Sequence, residues 1–399
     1  MISILKSNKI KVLLILFICF VFALNPQIYA NSCLNAISVW AIKILPVMFP
    51  FFVFTRIIVN LSENKPNFLD KFFNKAYNTP IGSFKTFFLS ALSGYPMGAK
   101  LICVQYEENK ITTIDAKKML SFCSISGPMF MLGTVGVGIL NSYTAGIIIL
   151  ISNIIASLLN GFIYRGKKNK VEKLVYNSKH KSISLGEQIN DSLNSILMVG
   201  AYIVLSFILI DMLKNLHIID SISNAICCVF NQTNNQSVVN SVLCGTLEIT
   251  RGIIELNSTN ITLNLKTIIS STLIAFGGFS IFFQSTHFLE KLKIKKRAML
   301  AQKLTQALLC IIVSTPLCLI FLNLKNKFWN NHLQFILSCV RAWAYIRIRV
   351  GASTLMCAQV CIHVRVYVRI CICACLRECM YMHATRRHVH ECIRIQAHV

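Results

Sequence analysis

Charged side chains are scarce in this chain, and acidic ones scarcest: 14% of the 399 residues are Asp, Glu, Lys or Arg, and 15 are Asp or Glu. With 55% hydrophobic residues and a mean hydropathy of +0.61, there is too little polar surface to cover a water-soluble fold. Lipid must be its main solvent. The sequence also lacks a loop of the G-x-x-x-x-G-K-S/T type, which argues against a pump energised by its own nucleotide site. Outside residues 338–399 the cysteines stand singly except for Cys227 and Cys228, so the body has no disulfide framework.

What the chain does have is long apolar runs, at 12–24, 45–61, 128–140, 143–163, 193–212, 264–288 and 299–323. Most reach the ~17 to 25 residues that a helix needs to cross a bilayer. The expectation is an all-α, polytopic membrane protein. Lys6, Lys9 and Lys11 before the first run, with Ile28-Tyr29-Ala30 after it, also fit a signal peptide. A small-x-small ending is missing there, which favours an uncleaved anchor over residues 1–32.

The formal net charge of +25 gathers in blocks beside apolar spans: Lys6–Lys11, Arg165–Lys181 and Lys291–Arg297. This is the cytoplasmic excess that orients membrane helices, and it argues against nucleic acid as a partner.

Residues 338–399 have another character. Cys361–Cys375 reads CIHVRVYVRICICAC, with Cys, His, Arg or Tyr at every odd position and Ile, Val or Ala at every even one. DNA alternating pyrimidine and purine encodes only such alternation, and Ala344–Val350 and Cys379–Ala384 obey the same rule. The tail therefore reads as translated low-complexity repeat. A metal site from Cys371, Cys373, Cys375, Cys379, His383, His388 and His390 is disfavoured, because its C-x-C steps do not match zinc spacing. A period-two strand is the other alternative.

The body reads as two similar halves, 33–165 and 186–325, joined by a basic cytoplasmic loop at 166–185. In each half an apolar span precedes an amphipathic stretch, FLDKFFNKAYN (68–78) or IIDSISNAICCVF (218–230). A short apolar segment then ends at Gly94 or Gly245, and a second break comes at Gly127 or Gly277. The glycine spacing is 33 in the first half (127 − 94) and 32 in the second (277 − 245). Lys65, Lys71, Lys75, Lys100, Lys110, Lys117 and Lys118 place both ends of 83–98 on the cytoplasmic side, whereas 237–250 dips from the outer side. One broken segment entering from each face is the layout of an inverted-repeat transporter, whose site lies near the midplane.

Backbone that leaves helical geometry at membrane depth must line a cavity or be packed in protein. Four places qualify: Ser93-Gly94-Tyr95-Pro96-Met97-Gly98, Ser126-Gly127-Pro128, Gly245-Thr246-Leu247-Glu248 and Gly277-Gly278-Phe279-Ser280. Pro96 and Pro128 remove donors, glycines admit close approach, and N–H groups freed at a half-helix start favour an anion such as a carboxylate or phosphate. Glycine and proline also serve simply as packing and kink residues, and the matched order of four breaks is what favours function. Lys100 and Glu248 come just after corresponding breaks with opposite charge; Lys100 either snorkels to the interface or meets a solute, and Glu248 is the better proton or cation carrier. Gln284 and Thr134 sit inside apolar spans, and Gly133-x-x-Gly136-x-Gly138 reads as a helix-packing face rather than a dinucleotide fingerprint.

At these motifs the chain resembles a family. SGYPMGAK (93–100), FCSISGPMFMLGTVGVGIL (122–140), GTLEITRGI (245–253) and AFGGFSIFFQS (275–285), with Trp40, Pro46, Phe49, Pro50, Phe51 and Phe52 earlier, are similar to the sporulation integral membrane protein YlbJ family, also called SpoVV. The resemblance covers about residues 5–325 and stops before the tail. It implies a nucleoside-recognition Gate domain, shared with the spore maturation proteins SpmA and SpmB. It also implies a multi-pass protein of the outer forespore membrane that takes dipicolinic acid, a small dicarboxylate, into the forespore. The family motifs fall on Gly94, Pro96, Gly98, Lys100, Ser126, Gly127, Pro128, Glu248, Gly277, Gly278 and Gln284, and Tyr95 and Ser280 within the breaks complete the candidate substrate-binding set.

The expectation is therefore a transporter of a small anionic solute in the lipid bilayer. It is expected to have no catalytic residue, metal or cofactor, with Na+ or H+ as the candidate coupling ion. Two alternatives are weighed against it. One is a non-transporting component that recruits other spore-assembly membrane proteins through the 165–185 loop. The other is an intramembrane hydrolase using Ser93 with Lys100, weak because no oxyanion partner is evident. Deleting residues 338–399 should leave membrane insertion unchanged, as measured by membrane yield and detergent size-exclusion profile; loss of insertion would mark the tail as native structure.

Overall fold

A computed structural model describes residues 8–61, 68–166, 184–229 and 235–349, with side chains up to Leu322. Most of the 166–185 loop and residues 350–399 of the tail, including the alternating segment Cys361–Cys375, lie outside the described residues. The chain divides into two compact units, Met1–Asn323 and Leu324–Val399. In the second, the described part is helical backbone ending at Arg349, so residues 338–349 are helix rather than strand. The first holds every candidate site residue.

Among the described residues the fold is helical, with no strand. Five stretches are long and apolar enough to cross a membrane: Pro26–Ile58, Tyr143–Ile163, Leu185–Asn215, Leu263–Ser285 and Lys296–Leu322. Their outward residues are large and apolar, as Ile42, Leu205, Leu308 and Ile312 show by exposures of 61 to 70%. In lipid such exposure carries no penalty.

Helix α1 (Asn8–Leu24) ends shortly before Pro26, which opens α2 (Pro26–Val39) from the first helical turn, where its missing N–H costs nothing. The sequence boundary at residue 32 thus falls inside a helix. Asn31, Ser32 and Asn35 lowered the hydropathy there, yet Ser32 is buried and Tyr29 beside it accepts a hydrogen bond from Asn215 Nδ2 at 3.1 Å. A π segment, π1 (Trp40–Ile44), carries α2 into α3 (Leu45–Leu61). Pro46 explains it: the proline ring clashes with the carbonyl four residues back, and widening the turn relieves the clash.

Next come the amphipathic α4 (Phe68–Tyr77) and a hairpin of α5 (Ser83–Ser93) and α6 (Met97–Glu107). Helix α7 (Thr113–Cys123), a non-helical stretch and a second π segment, π2 (Phe130–Val137), lead to α8 (Tyr143–Ile163). The order then recurs. After α9 (Leu185–Asn215) come the amphipathic α10 (Ile218–Val229), a hairpin of α11 (Gln236–Leu247) and α12 (Ile249–Asn257), the interrupted pair α13 (Leu263–Phe276) and α14 (Gly278–Lys291), and α15 (Lys296–Arg349).

The two hairpins abut opposite ends of α13–α14. Lys291, at the end of α14, bonds Glu107 at the end of α6 at 2.9 Å, whereas Lys266, at the start of α13, bonds the Asn257 carbonyl at the end of α12 at 2.6 Å. The π segments also cross. Thr134 Oγ1 donates to the Lys43 carbonyl at 3.2 Å, so a threonine in one π segment satisfies a backbone group in the other. Gly136 meets Gly146 and Gly133 meets Val47, so that glycine run is a packing face.

Small polar side chains join helices in the interior beside its apolar clusters, as expected where lipid supplies no hydrophobic drive between helices. Ser152, Asn153, Ser157 and Asn160 of α8 are fully buried. Asn153 Nδ2 donates to the Ser271 carbonyl of α13 at 3.3 Å. Asn160 Nδ2 donates to carbonyls of Ser121 in α7 (2.8 Å) and Gln302 in α15 (3.1 Å), while its Oδ1 accepts from Thr305 (2.7 Å). One asparagine thereby joins three helices. Asn160→Leu should lower the unfolding free energy by ~1–2 kcal/mol, read as a lowered thermal midpoint in detergent, and the lipid-facing control Leu308→Ile should leave the midpoint unchanged.

Candidate solute-binding cavity

Each break has its own local cause. At the first, Gly94 takes φ +74, a conformation that strains any side chain, and Pro96 stands as N-cap of α6. A Cβ on Gly94 would lie 2.4 Å from the Gly127 nitrogen, and one on Gly98 would lie 2.1 Å from the Cys123 carbonyl. The first hairpin is therefore pressed backbone to backbone against the second break, which runs from Ser124 through Ser126, Gly127 and Pro128. At the fourth, Gly277 ends α13 at φ +90 and Gly278 begins α14 at φ +66.

The third break differs from the sequence expectation. It falls on Glu248 alone, in extended conformation, and Gly245 lies within α11. Gly245 instead lets the hairpin close: a Cβ on Gly252 would be 2.2 Å from the Gly245 Cα. Glu248 replaces glycine chemistry with capping chemistry, its Oε2 accepting the Arg251 N–H at 2.7 Å at the start of α12. The residue is 5% exposed.

All four breaks converge on one cavity of about 50 Å³. Tyr95 lines it from the first break, Ser126 and Gly127 from the second, Glu248 and Thr250 from the third, and Ser280 and Gln284 from α14 after the fourth. Ile44, Met48, Phe130, Val199 and Ile203 supply apolar walls. Of the sequence candidates, Tyr95, Ser126, Gly127, Glu248, Ser280 and Gln284 thus share one space. Gly94, Gly98, Gly277 and Gly278 shape the chain around it, and Pro96 and Pro128 flank the first two breaks. Lys100 is not among the lining residues; it lies within electrostatic reach of Arg56 and Asp191, an ion pair of 2.7 Å linking α3 to α9. Ser93 is buried at the end of α5 and also lies outside the lining.

The lining carries one acid and no base. Helix α14 begins at the cavity without a side-chain cap, and its first turn contributes Ser280 and Ile281 to the wall, so its N-terminal amides offer the favourable end of a helix dipole. The arrangement can hold a small polar group between a dipole end and a carboxylate. No cluster of metal-ligating side chains occurs among the described residues.

Sequence reasoning missed Thr250 and, behind Tyr95, a buried lysine. Lys303 of α15 is 4% exposed and bonds Tyr95 Oη at 2.5 Å. Its signal was present: Gln302, Lys303 and Gln306 sit within the apolar run 299–323, and ionisable groups inside a span are site candidates. The neighbouring basic block at 291–297 masked it as one more interfacial charge.

The five membrane-length apolar stretches, the strand-free fold of the described residues and the apolar exterior define a multi-pass, all-α integral membrane protein. The chain is similar to the sporulation integral membrane protein YlbJ of Bacillus subtilis (strain 168), with 23% identity over 397 residues, covering 89% of this chain and 95% of that protein. This likeness bears out the resemblance read from the motifs and supports membership of the YlbJ family, and since 89% of 399 residues is about 355, it extends past residue 325, where the motif resemblance stopped, and into the tail. No protein-family model matches the chain. No solved structure matches it either.

Gly94→Ala should destabilise the protein by ~1–3 kcal/mol, because backbone, not a yielding side chain, meets the new methyl. A thermal midpoint equal to that of the parent would show that the first and second breaks do not pack as described.

Proposed function

We propose that the protein is a secondary transporter of sporulation that moves a small anionic solute by alternating access. The observation that carries this reading is the single cavity lined from all four breaks. Two features support it further: the recurrent order of elements in the halves, and hairpins abutting opposite ends of α13–α14 as an inverted repeat requires. The likeness to a sporulation protein supplies the setting, and by that resemblance the outer forespore membrane is the proposed location.

The cavity volume, about 50 Å³, holds a few waters and is far below the ~300 Å³ at which pockets for drug-sized ligands begin. The solute is therefore proposed to enter when the hairpins part and the cavity widens. Dipicolinic acid is the proposed substrate, one carboxylate resting on the N-terminus of α14 beside Ser280 and Gln284. Glu248 would repel such an anion unless it first takes a proton or cation, which makes it the proposed coupling group, with H+ or Na+ as its ion. No catalytic step or resident cofactor belongs to this proposal.

Uptake of labelled dipicolinate into proteoliposomes tests it. The full chain should accumulate the label, and Glu248→Gln, which keeps the shape of the side chain, should slow accumulation by about tenfold or more, equivalent to ~1.4 kcal/mol on the barrier. Correctly inserted protein that takes up no dipicolinate would favour a non-transporting membrane component instead. Normal uptake by Glu248→Gln would remove that residue from the mechanism.

A further inference from the structure

Among the described residues, Lys303 has no carboxylate in its bonded shell. Its ammonium donates to the Ser124 carbonyl (2.5 Å), Tyr95 Oη (2.5 Å), Gln306 Oε1 (3.1 Å) and the Ala275 carbonyl (3.4 Å). It also sits 4.5 Å from the centroid of the Tyr95 ring, a cation–π distance. Every oxygen in this shell is neutral. Burying a charge with neutral partners alone is costly unless they are arranged for it, and two features show that they are.

The first is helix ends. Ser124 is the C-cap of α7, and Ala275 is the next-to-last residue of α13, so both carbonyls belong to the set that a helix leaves without intrahelical partners. Two helix C-termini, each the negative end of its dipole, thus converge on one cation. These helices occupy equivalent places in the two halves, each leading into a break. The second feature is Gln306, 1% exposed, whose Oε1 faces Lys303 while its Nε2 has no hydrogen-bond partner among the described residues. The amide leaves its own donor unpaired in order to present an oxygen to the ammonium.

Unwound carbonyls, helix C-termini, a hydroxyl and an amide oxygen form the donor set by which broken-helix membrane proteins hold a free monovalent cation. We propose that this shell is a monovalent-cation site filled by the chain's own ammonium, so that the protein carries its cation covalently at the junction of α7, α13 and Tyr95. Removing the side chain vacates a site that sodium fits. This rests on the transporter reading for one consequence only: a cation fixed here leaves Glu248 as the group that exchanges a mobile ion with the cavity.

The test reads stability, so it stands whether or not the protein transports anything. The full-length protein and its variants are purified in detergent, and thermal midpoints are compared in sodium, potassium, methylammonium and choline chlorides at equal ionic strength. Lys303→Ala should unfold at a lower temperature than the parent in choline and regain most of the loss in sodium or methylammonium. Lys303→Met fills the space without charge and should be lowered without regaining it. Should Lys303→Ala be made only as aggregate in ordinary medium, the same comparison is read as its folded membrane yield with and without added methylammonium. The proposal is overturned if no small cation restores Lys303→Ala by either readout, if the cations restore Lys303→Met equally, or if Lys303→Met matches the parent.

Discussion

A peptide group without a partner cannot be left facing hydrocarbon, and most of this structure derives from that constraint. Four helices are interrupted around one cavity, and each interruption exposes carbonyls or amides that something must satisfy. The chain answers with its own parts. Glu248 caps α12, the Tyr95 hydroxyl and the Lys303 ammonium serve the Ser124 carbonyl, and Thr134 serves the carbonyl of Lys43. Tyr95, Ser126, Gly127 and Glu248, from the first three breaks, line one cavity, and Ser280 and Gln284 line it from α14 after the fourth.

Holding such breaks in place requires that backbones come close. Gly94 against Gly127, Gly98 against Cys123 and Gly252 against Gly245 are contacts that a single methyl would block. The same economy of side chain appears in α8, whose buried serines and asparagines reach α7, α13 and α15. Large apolar residues are displaced to the lipid face or gathered in two main clusters, one around Ile44, Phe207 and Ile274 and the other around Phe122, Phe73 and Tyr77. The first of these shares Ile44, Met48, Phe130 and Ile203 with the cavity wall, so core packing and cavity are parts of one assembly.

Legibility in the sequence tracked the chemistry of each break. Gly94, Pro96, Gly127 and Gly277 were readable because glycine and proline perturb the backbone by themselves, whatever surrounds them. Glu248 was readable as a polar group in an apolar stretch, yet the break was placed too early, at Gly245. Nothing intrinsic to a glutamate ends a helix; it ends one here because its carboxylate caps the next. The two π segments left little trace, since an extra residue in a turn alters neither composition nor hydropathy. Residues 26–44 were missed as the first part of the membrane-length stretch Pro26–Ile58 because Asn31, Ser32 and Asn35 depress hydropathy, and the burial of Ser32 depends on neighbours that a window of sequence does not contain.

By itself the sequence determined the solvent, the helical class and the order of elements along the chain, because these derive from composition and local pattern. Which candidates meet was decided only by the fold. Lys100 and Glu248, paired by position in the repeat, part company: Glu248 lines the cavity and Lys100 stands in the field of Arg56 and Asp191. Lys303, which the reading of the apolar run 299–323 passed over, is carried into the interior. Only there do Ser124 and Ala275, at the ends of α7 and α13 and 151 positions apart (275 − 124), supply oxygens to the same ammonium.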